Sequence, residues 1–190
     1  MIIFTKYSND RRPELMIRTD IAEEGGVRTV IKAAADPRAA AHINGLAESY
    51  AGLGKLYAGT KFIPNRCTAG EGSCTFEYLQ GVTFEEQMDA LLDTPDELAL
   101  AVRAYFDELL KAADTTFVPT EKYREVFGDI ITSDDRAFSV SNIDMVFNNI
   151  IVRDGWNVID YEWTFPFSVP VNFVIWRAYH YYVDVNMKRA

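Results

Sequence analysis

Asp144, Asn149 and Asp160 are the residues of this chain whose types and spacing could do chemistry. They lie in the stretch SNIDMVFNNIIVRDGWNVIDYEW, Ser141 to Trp163. Ile150-Ile151-Val152 and Asn157-Val158-Ile159 read as two short strands, with Asp154-Gly155 as a two-residue turn between them. A hairpin brings its open ends together, so Asn149 and Asp160 should lie side by side. An amide oxygen and a carboxylate so placed suit Mg²⁺, a hard cation that takes oxygen ligands and keeps several waters. Asp144 adds a second carboxylate close by in sequence, with the chemistry of a proton acceptor. The competing reading is that the three residues only cap loops around a hairpin, as Asx residues often do.

The elements that must position these residues fall into two groups. Before residue 81 the chain reads mainly as strands. IIFTKY, ELMIRTDI and VRTVIK are short, rich in β-branched residues and separated by SNDRRP and EEGG, which suits a small antiparallel sheet. Asp36-Pro37 opens a helix, Asp as N-cap and Pro at its first position, running to about Tyr50 and closed by Gly52 and Gly54. Residues 61–66 and 73–80 read as a further hairpin. From Thr83 the pattern turns helical: FEEQMDALLD, then a capping box at Thr94-Pro95-Asp96-Glu97. The apolar stripe Leu98, Ala101, Val102, Tyr105, Phe106, Leu109, Leu110 and Ala113 follows and reads as core. A short helix is expected at Glu121–Phe127, within a polar stretch 114–137. Val171 to about Val185 reads as a helix apolar on nearly every side, hence buried all round. The fold class is α+β, with residues 1–80 and 81–190 as its two parts.

A net charge of −9 and a pI near 4.7 argue against nucleic acid, which needs a basic face. Neither a signal peptide nor a membrane-spanning apolar run is visible, which makes the cytoplasm the default location. Two cysteines give no disulfide framework. Cys67 and Cys74 would face each other if Gly70-Glu71 were a two-residue turn, yet free thiols are the expectation.

Asp144-x-x-x-x-Asn149, a hairpin, then Asp160-Tyr161-Glu162 resembles the catalytic and metal-binding loops of the protein-kinase-like fold. The Glu after the Asp-aromatic pair is similar to the small-molecule kinases of the choline and aminoglycoside kind. A looser resemblance is to kinase-like modules of bacterial cell-surface polysaccharide biosynthesis proteins. The resemblance implies a two-lobed molecule, with an antiparallel-sheet N-lobe over 1–80 and a mainly helical C-lobe over 81–190. It implies ATP and Mg²⁺ as cofactors. Lys32 would hold the α/β-phosphates, and Glu48, the one carboxylate between Asp36 and Glu71, would orient Lys32. The backbone from Glu77 to Leu79 would bind adenine, Asn149 and Asp160 would bind Mg²⁺, and Asp144 would accept the proton of an attacking hydroxyl.

Three departures from the family pattern bear on activity. Asn142 stands where the family has His. Ser8-Asn9-Asp10 occupies the place of the Gly-rich phosphate loop, where Asp10 repels phosphate while Ser8 and Asn9 could donate to it. The helices that finish the large lobe are cut short, which with the aromatic segment after Asp160 suggests a truncated domain of a longer protein. Two functions follow. One is a kinase acting on a hydroxyl of a small molecule or glycan. The other is a catalytically silent kinase-like module that regulates an attached enzyme, such as a glycosyltransferase. The aromatic C-terminal region is expected to leave an apolar patch for self-association or an attached domain.

Overall fold

The β-branched runs near the start of the chain pair as antiparallel strands, and Gly25-Gly26 closes the tightest of their turns. Both glycines have positive φ, +57° and +81°, the conformation a two-residue hairpin loop needs to match strand twist. The computed structural model describes residues 1–129 and 135–189, so part of the polar stretch 114–137 lies outside the described residues. In chain order the elements begin with β1 (Ile2–Tyr7), β2 (Ile17–Glu24), β3 (Val27–Ala34), α1 (Ala40–Leu56), β4 (Phe62–Pro64), β5 (Cys67–Gly70), β6 (Ser73–Glu77) and β7 (Val82–Thr83). They continue with α2 (Phe84–Asp89), α3 (Pro95–Ala112), β8 (Thr115–Thr116), α4 (Glu121–Phe127), β9 (Arg136–Phe138) and β10 (Ser141–Asn142). The last are β11 (Ile150–Val152), β12 (Trp156–Val158), β13 (Thr164–Phe165), β14 (Val169–Pro170) and α5 (Val171–Asp184).

The chain divides into two compact units. The first holds Met1–Ala51 and Asn65–Gln80, the second Gly52–Pro64 and Gly81–Ala190. The first unit is a five-stranded sheet in the order β1-β2-β3-β6-β5, all neighbours antiparallel, with the first part of α1. Ile17, Phe76, Cys74, Ile43 and Leu46 are buried in it. Three details differ from the sequence reading here. Neither Gly52 nor Gly54 closes α1, which runs on to Leu56. A Cβ on Gly52 would come within 3.2 Å of Val140, so that glycine serves close packing instead. The cysteines do not face each other either. The turn is Glu71-Gly72, so Cys67 pairs with Phe76 and Cys74 with Ala69, and both thiols are free and buried. Segment 61–66 is not the other arm of that hairpin. β4 belongs to the second unit and pairs in parallel with β12.

The second unit carries the helices and a four-stranded sheet in the order β4-β12-β11-β7. Under the sheet lies an aromatic cluster of Phe62, Phe84, Tyr105, Phe147 and Trp156, with Tyr105–Phe147 and Phe84–Tyr105 centroids each 5.0 Å apart. Aromatic burial of this kind carries most of the apolar area in a core. The capping box forms at Thr83 and Glu86 rather than at Thr94, whose hydroxyl donates back to the Leu91 carbonyl. In the stripe on α3, Tyr105 and Leu109 are buried. Leu98, Val102 and Phe106 are half-exposed and line an open groove of about 400 Å³ with Tyr179 and Tyr182. α5 is likewise one-sided: Val171, Val174, Ala178 and Tyr182 are buried, while Trp176 is 57% exposed and Tyr179 and Tyr181 nearly half. The apolar residues of α5 outnumber the positions its single packed face can cover.

Candidate active site

The hairpin that carries the three polar residues differs in one detail from its sequence reading. Val152 pairs with Trp156, so the loop is Arg153-Asp154-Gly155, three residues rather than two. Gly155 at its last position is closely packed: a Cβ there would lie 2.7 Å from the tip of the Ile63 side chain and 3.2 Å from the Lys61 carbonyl oxygen. At the other end Ile150 pairs with Val158, and the Ile159 amide donates to the Asn149 carbonyl (2.9 Å). Asn149 and Asp160 therefore stand at the same end of the hairpin. Asp160 is exposed and has φ +55°, the one non-glycine residue with positive φ among the described residues. Aspartate tolerates this left-handed conformation better than most residues, and strain of this kind gathers at functional sites.

Asp144 is held by several residues of the second unit. Its amide donates to Asn142 Oδ1 (3.0 Å), and its carbonyl accepts from Asn149 Nδ2 (3.1 Å). A carbonyl partner fixes which end of the Asn149 amide is nitrogen, so its oxygen is turned to the other side. An amide oxygen and the Asp160 carboxylate at one end of the hairpin are hard oxygen donors, which fit a cation that fills its shell with water and phosphate oxygens. Among the described residues no three His, Cys, Asp or Glu side chains converge, so a richer protein cage is not built. Met145, next to Asp144, is pinned by two buried tyrosines. Tyr105 OH donates to its carbonyl (2.9 Å) and Tyr57 OH to its sulfur (3.1 Å). Burial pushes both phenols well above their ordinary pKa, so they remain protonated donors. Asn142, in the place of the family His, is buried, and its side chain is used locally on Asp144 and Met145. Glu162 is buried, at 8% exposure.

Sequence reasoning passed over Arg177. It lies on α5, read from sequence only as an apolar helix, and its Nη2 donates to Asp144 Oδ1 at 2.6 Å. Its Nε donates to the Ile143 carbonyl (3.0 Å), and its guanidinium lies over the Tyr181 ring, 4.6 Å from the centroid. An isolated basic residue in an apolar helical run was the available signal.

In the first unit, Lys32 sits on β3, the middle strand of the sheet, between Thr19 and Cys74. It is buried, with Nζ 6.0 Å from the centre of the Phe76 ring. A buried ammonium is costly unless anionic groups answer it. His42 on α1 feels the same charge: burial first, then Arg11 and Lys32, hold its imidazole below the ordinary value. Glu48 is exposed on the side of α1 away from buried Ile43, Leu46 and Leu53, so the structure does not bring it to Lys32. Ser8 does not offer its hydroxyl to phosphate, since that group exchanges hydrogen bonds with the Ile17 backbone (2.9 and 3.2 Å). The Glu77 carbonyl accepts from Asn65 Nδ2 (2.9 Å), and Leu79 is half-buried in the irregular segment after β6.

No protein-family model matches the chain, and no curated relative matches it. Solved structures do. A macrolide 2'-phosphotransferase type I matches with a TM-score of 0.52 at 14% identity, over 97% of this chain and 73% of its own. The APH(2")-IIa ternary complex with streptomycin and ATP matches with a TM-score of 0.54 at 13% identity, over 98% of this chain and 81% of its own. The chain has the protein-kinase-like fold. At such identities the likeness speaks for architecture alone, and nothing in it points to polysaccharide biosynthesis. Among the described residues no helix is long and apolar enough to cross a membrane.

Proposed function

We propose that the chain is an ATP- and Mg²⁺-dependent phosphotransferase acting on a hydroxyl of a small molecule or glycan. The observation that carries this reading is the loop at the open end of the hairpin. The main-chain carbonyl of Asp144 accepts a hydrogen bond from Asn149 Nδ2, and Asp160 stands at the same end of the hairpin as Asn149, in the left-handed backbone region. In the two solved structures the fold serves phosphotransferases, one of them captured with ATP and streptomycin. Phosphoryl transfer asks the protein chiefly for positioning and charge neutralisation. In this reading residues 1–80 hold the nucleotide, through Lys32 on its phosphates and the Glu77–Leu79 backbone on its base. Residues 81–190 supply Asn149 and Asp160 as Mg²⁺ ligands and Asp144 to receive the hydroxyl proton. Bound Mg²⁺ would neutralise charge on the phosphates. Glu48 has no part in the site as it stands.

The test compares two variants by titration with Mg-ATP and by ADP release. Asp144→Asn should abolish turnover and leave Mg-ATP binding within about twofold, because a proton acceptor acts on the second substrate. Asp160→Asn should weaken Mg-ATP binding as well, because a metal ligand holds the nucleotide's counter-ion. Equal loss of binding in both would refute the roles. The exposed Glu48 and the consumed Asn142 side chain favour a second reading, a nucleotide-binding module without turnover. Wild-type protein that binds Mg-ATP and transfers nothing, to water or to any hydroxyl offered, would establish it.

A further inference from the structure

Arg177 reaches Asp144 with a geometry that an incidental ion pair does not need. Its planar fork spans two acceptors on consecutive residues, the Ile143 carbonyl through Nε and the Asp144 carboxylate through Nη2. The Tyr181 ring backs the guanidinium, and both charged side chains are mostly buried, at 23% and 17% exposure. The main chain of Asp144 is already fixed by Asn142 and Asn149. Arg177 holds one oxygen of the Asp144 carboxylate, which sets the direction of that side chain. We propose that Arg177 is a positioning residue for phosphoryl transfer, which orients the Asp144 carboxylate toward the attacking hydroxyl. The inference rests on the phosphotransferase reading above. A carboxylate so paired is a weak base, but phosphoryl transfer passes through a loose transition state that needs aim more than basicity. Arginine suits the task, since lysine offers a point charge and no fork.

The experiment measures ADP release from Mg-ATP with water as acceptor, in wild type, Arg177→Ala and Arg177→Lys, with nucleotide binding followed in parallel. Misaiming a reacting group by about 1 Å can cost on the order of 100-fold in rate. Arg177→Ala should therefore lose roughly 10- to 100-fold in kcat while KM for Mg-ATP stays within about twofold. Guanidinium ion at millimolar, non-denaturing concentration should restore part of the rate. Arg177→Lys, which keeps the charge and loses the fork, should lose several-fold in kcat, and it decides the matter if the alanine variant does not fold. A wild type active alongside folded variants that keep kcat within twofold overturns the inference alone. So does a variant faster than wild type, since the contact would then restrain Asp144. A wild type that binds Mg-ATP and releases no ADP, with water or with any hydroxyl offered as acceptor, overturns the phosphotransferase reading, and this inference with it.

Discussion

At the scale of single residues, His42 reports on the charge around Lys32. Its imidazole is held below its ordinary pKa by burial, then by the positive charges of Arg11 and Lys32. The unfolded chain therefore takes up the proton first as pH falls through about 6.5. Stability is at its full value above that point and declines as the pH drops toward the lowered folded value. His42→Gln should flatten stability against pH between about 5 and 7, read from urea midpoints. If phosphates lie against Lys32, their negative charge should cancel part of the repulsion and raise the His42 pKa. The shift is readable from the ring Cε1–H resonance in a chain with two histidines. A His42 titration unmoved by saturating Mg-ATP would remove Lys32 from the phosphate site.

At the scale of elements, α5 and the 3₁₀ turn after it (Met187–Arg189) are tied to α2 by a charged clasp. Arg189 is 6% exposed and bonds Asp89 and Glu85 at 2.5 and 2.9 Å. Its guanidinium lies 4.4 Å from the centre of the Tyr182 ring, and the Tyr182 hydroxyl donates to Asp89 (3.0 Å). Burial, then the Asp89 bond, push that phenol up to about 12. Arg189→Ala leaves two carboxylates without their shared cation. Both reach solvent, so the cost should be about 2 kcal/mol rather than that of a fully buried pair. That corresponds to roughly 4–8 °C in the melt. A melting point within 1 °C of wild type would show that the clasp contributes nothing. Nothing in the spacing of Arg189, Asp89 and Glu85 predicts it, because distant contacts leave no local pattern. Local signals did place β1, β3, α4 and the Ser141–Trp163 hairpin. They failed where a second element decides: Gly52 packs against Val140 instead of ending α1, and Thr94 turns back on Leu91 instead of capping α3. The site was legible to the same degree. Asp144, Asn149 and Asp160 lie within one local hairpin. Arg177 left no local signal because it reaches Asp144 from a separate helix, and Glu48 is exposed because helix phase, not residue type, sets which way a side chain faces.

At the scale of the whole molecule, an acidic chain with charge −9 should bind a polyphosphate only when a cation offsets the repulsion. In the proposed site Asn149 and Asp160 would touch ATP only through such a cation, whereas Lys32 would touch it directly. Nucleotide binding should therefore depend on the metal, and melting experiments can measure how strongly. A ligand that binds only the folded state stabilises it by about 2.7 kcal/mol at a hundredfold excess over Kd. For a chain of this size each kcal/mol raises the midpoint by roughly 2–4 °C, so saturating Mg-ATP should raise it by about 5–10 °C. EDTA added to the same mixture should remove most of the shift. A shift that survives EDTA would mean that Lys32 and the Glu77–Leu79 backbone hold the nucleotide alone, which favours the module without turnover. The absence of any shift with ATP, ADP or GTP at millimolar concentration would reject nucleotide binding by this chain. The protein-kinase-like fold would then serve it as an interaction scaffold.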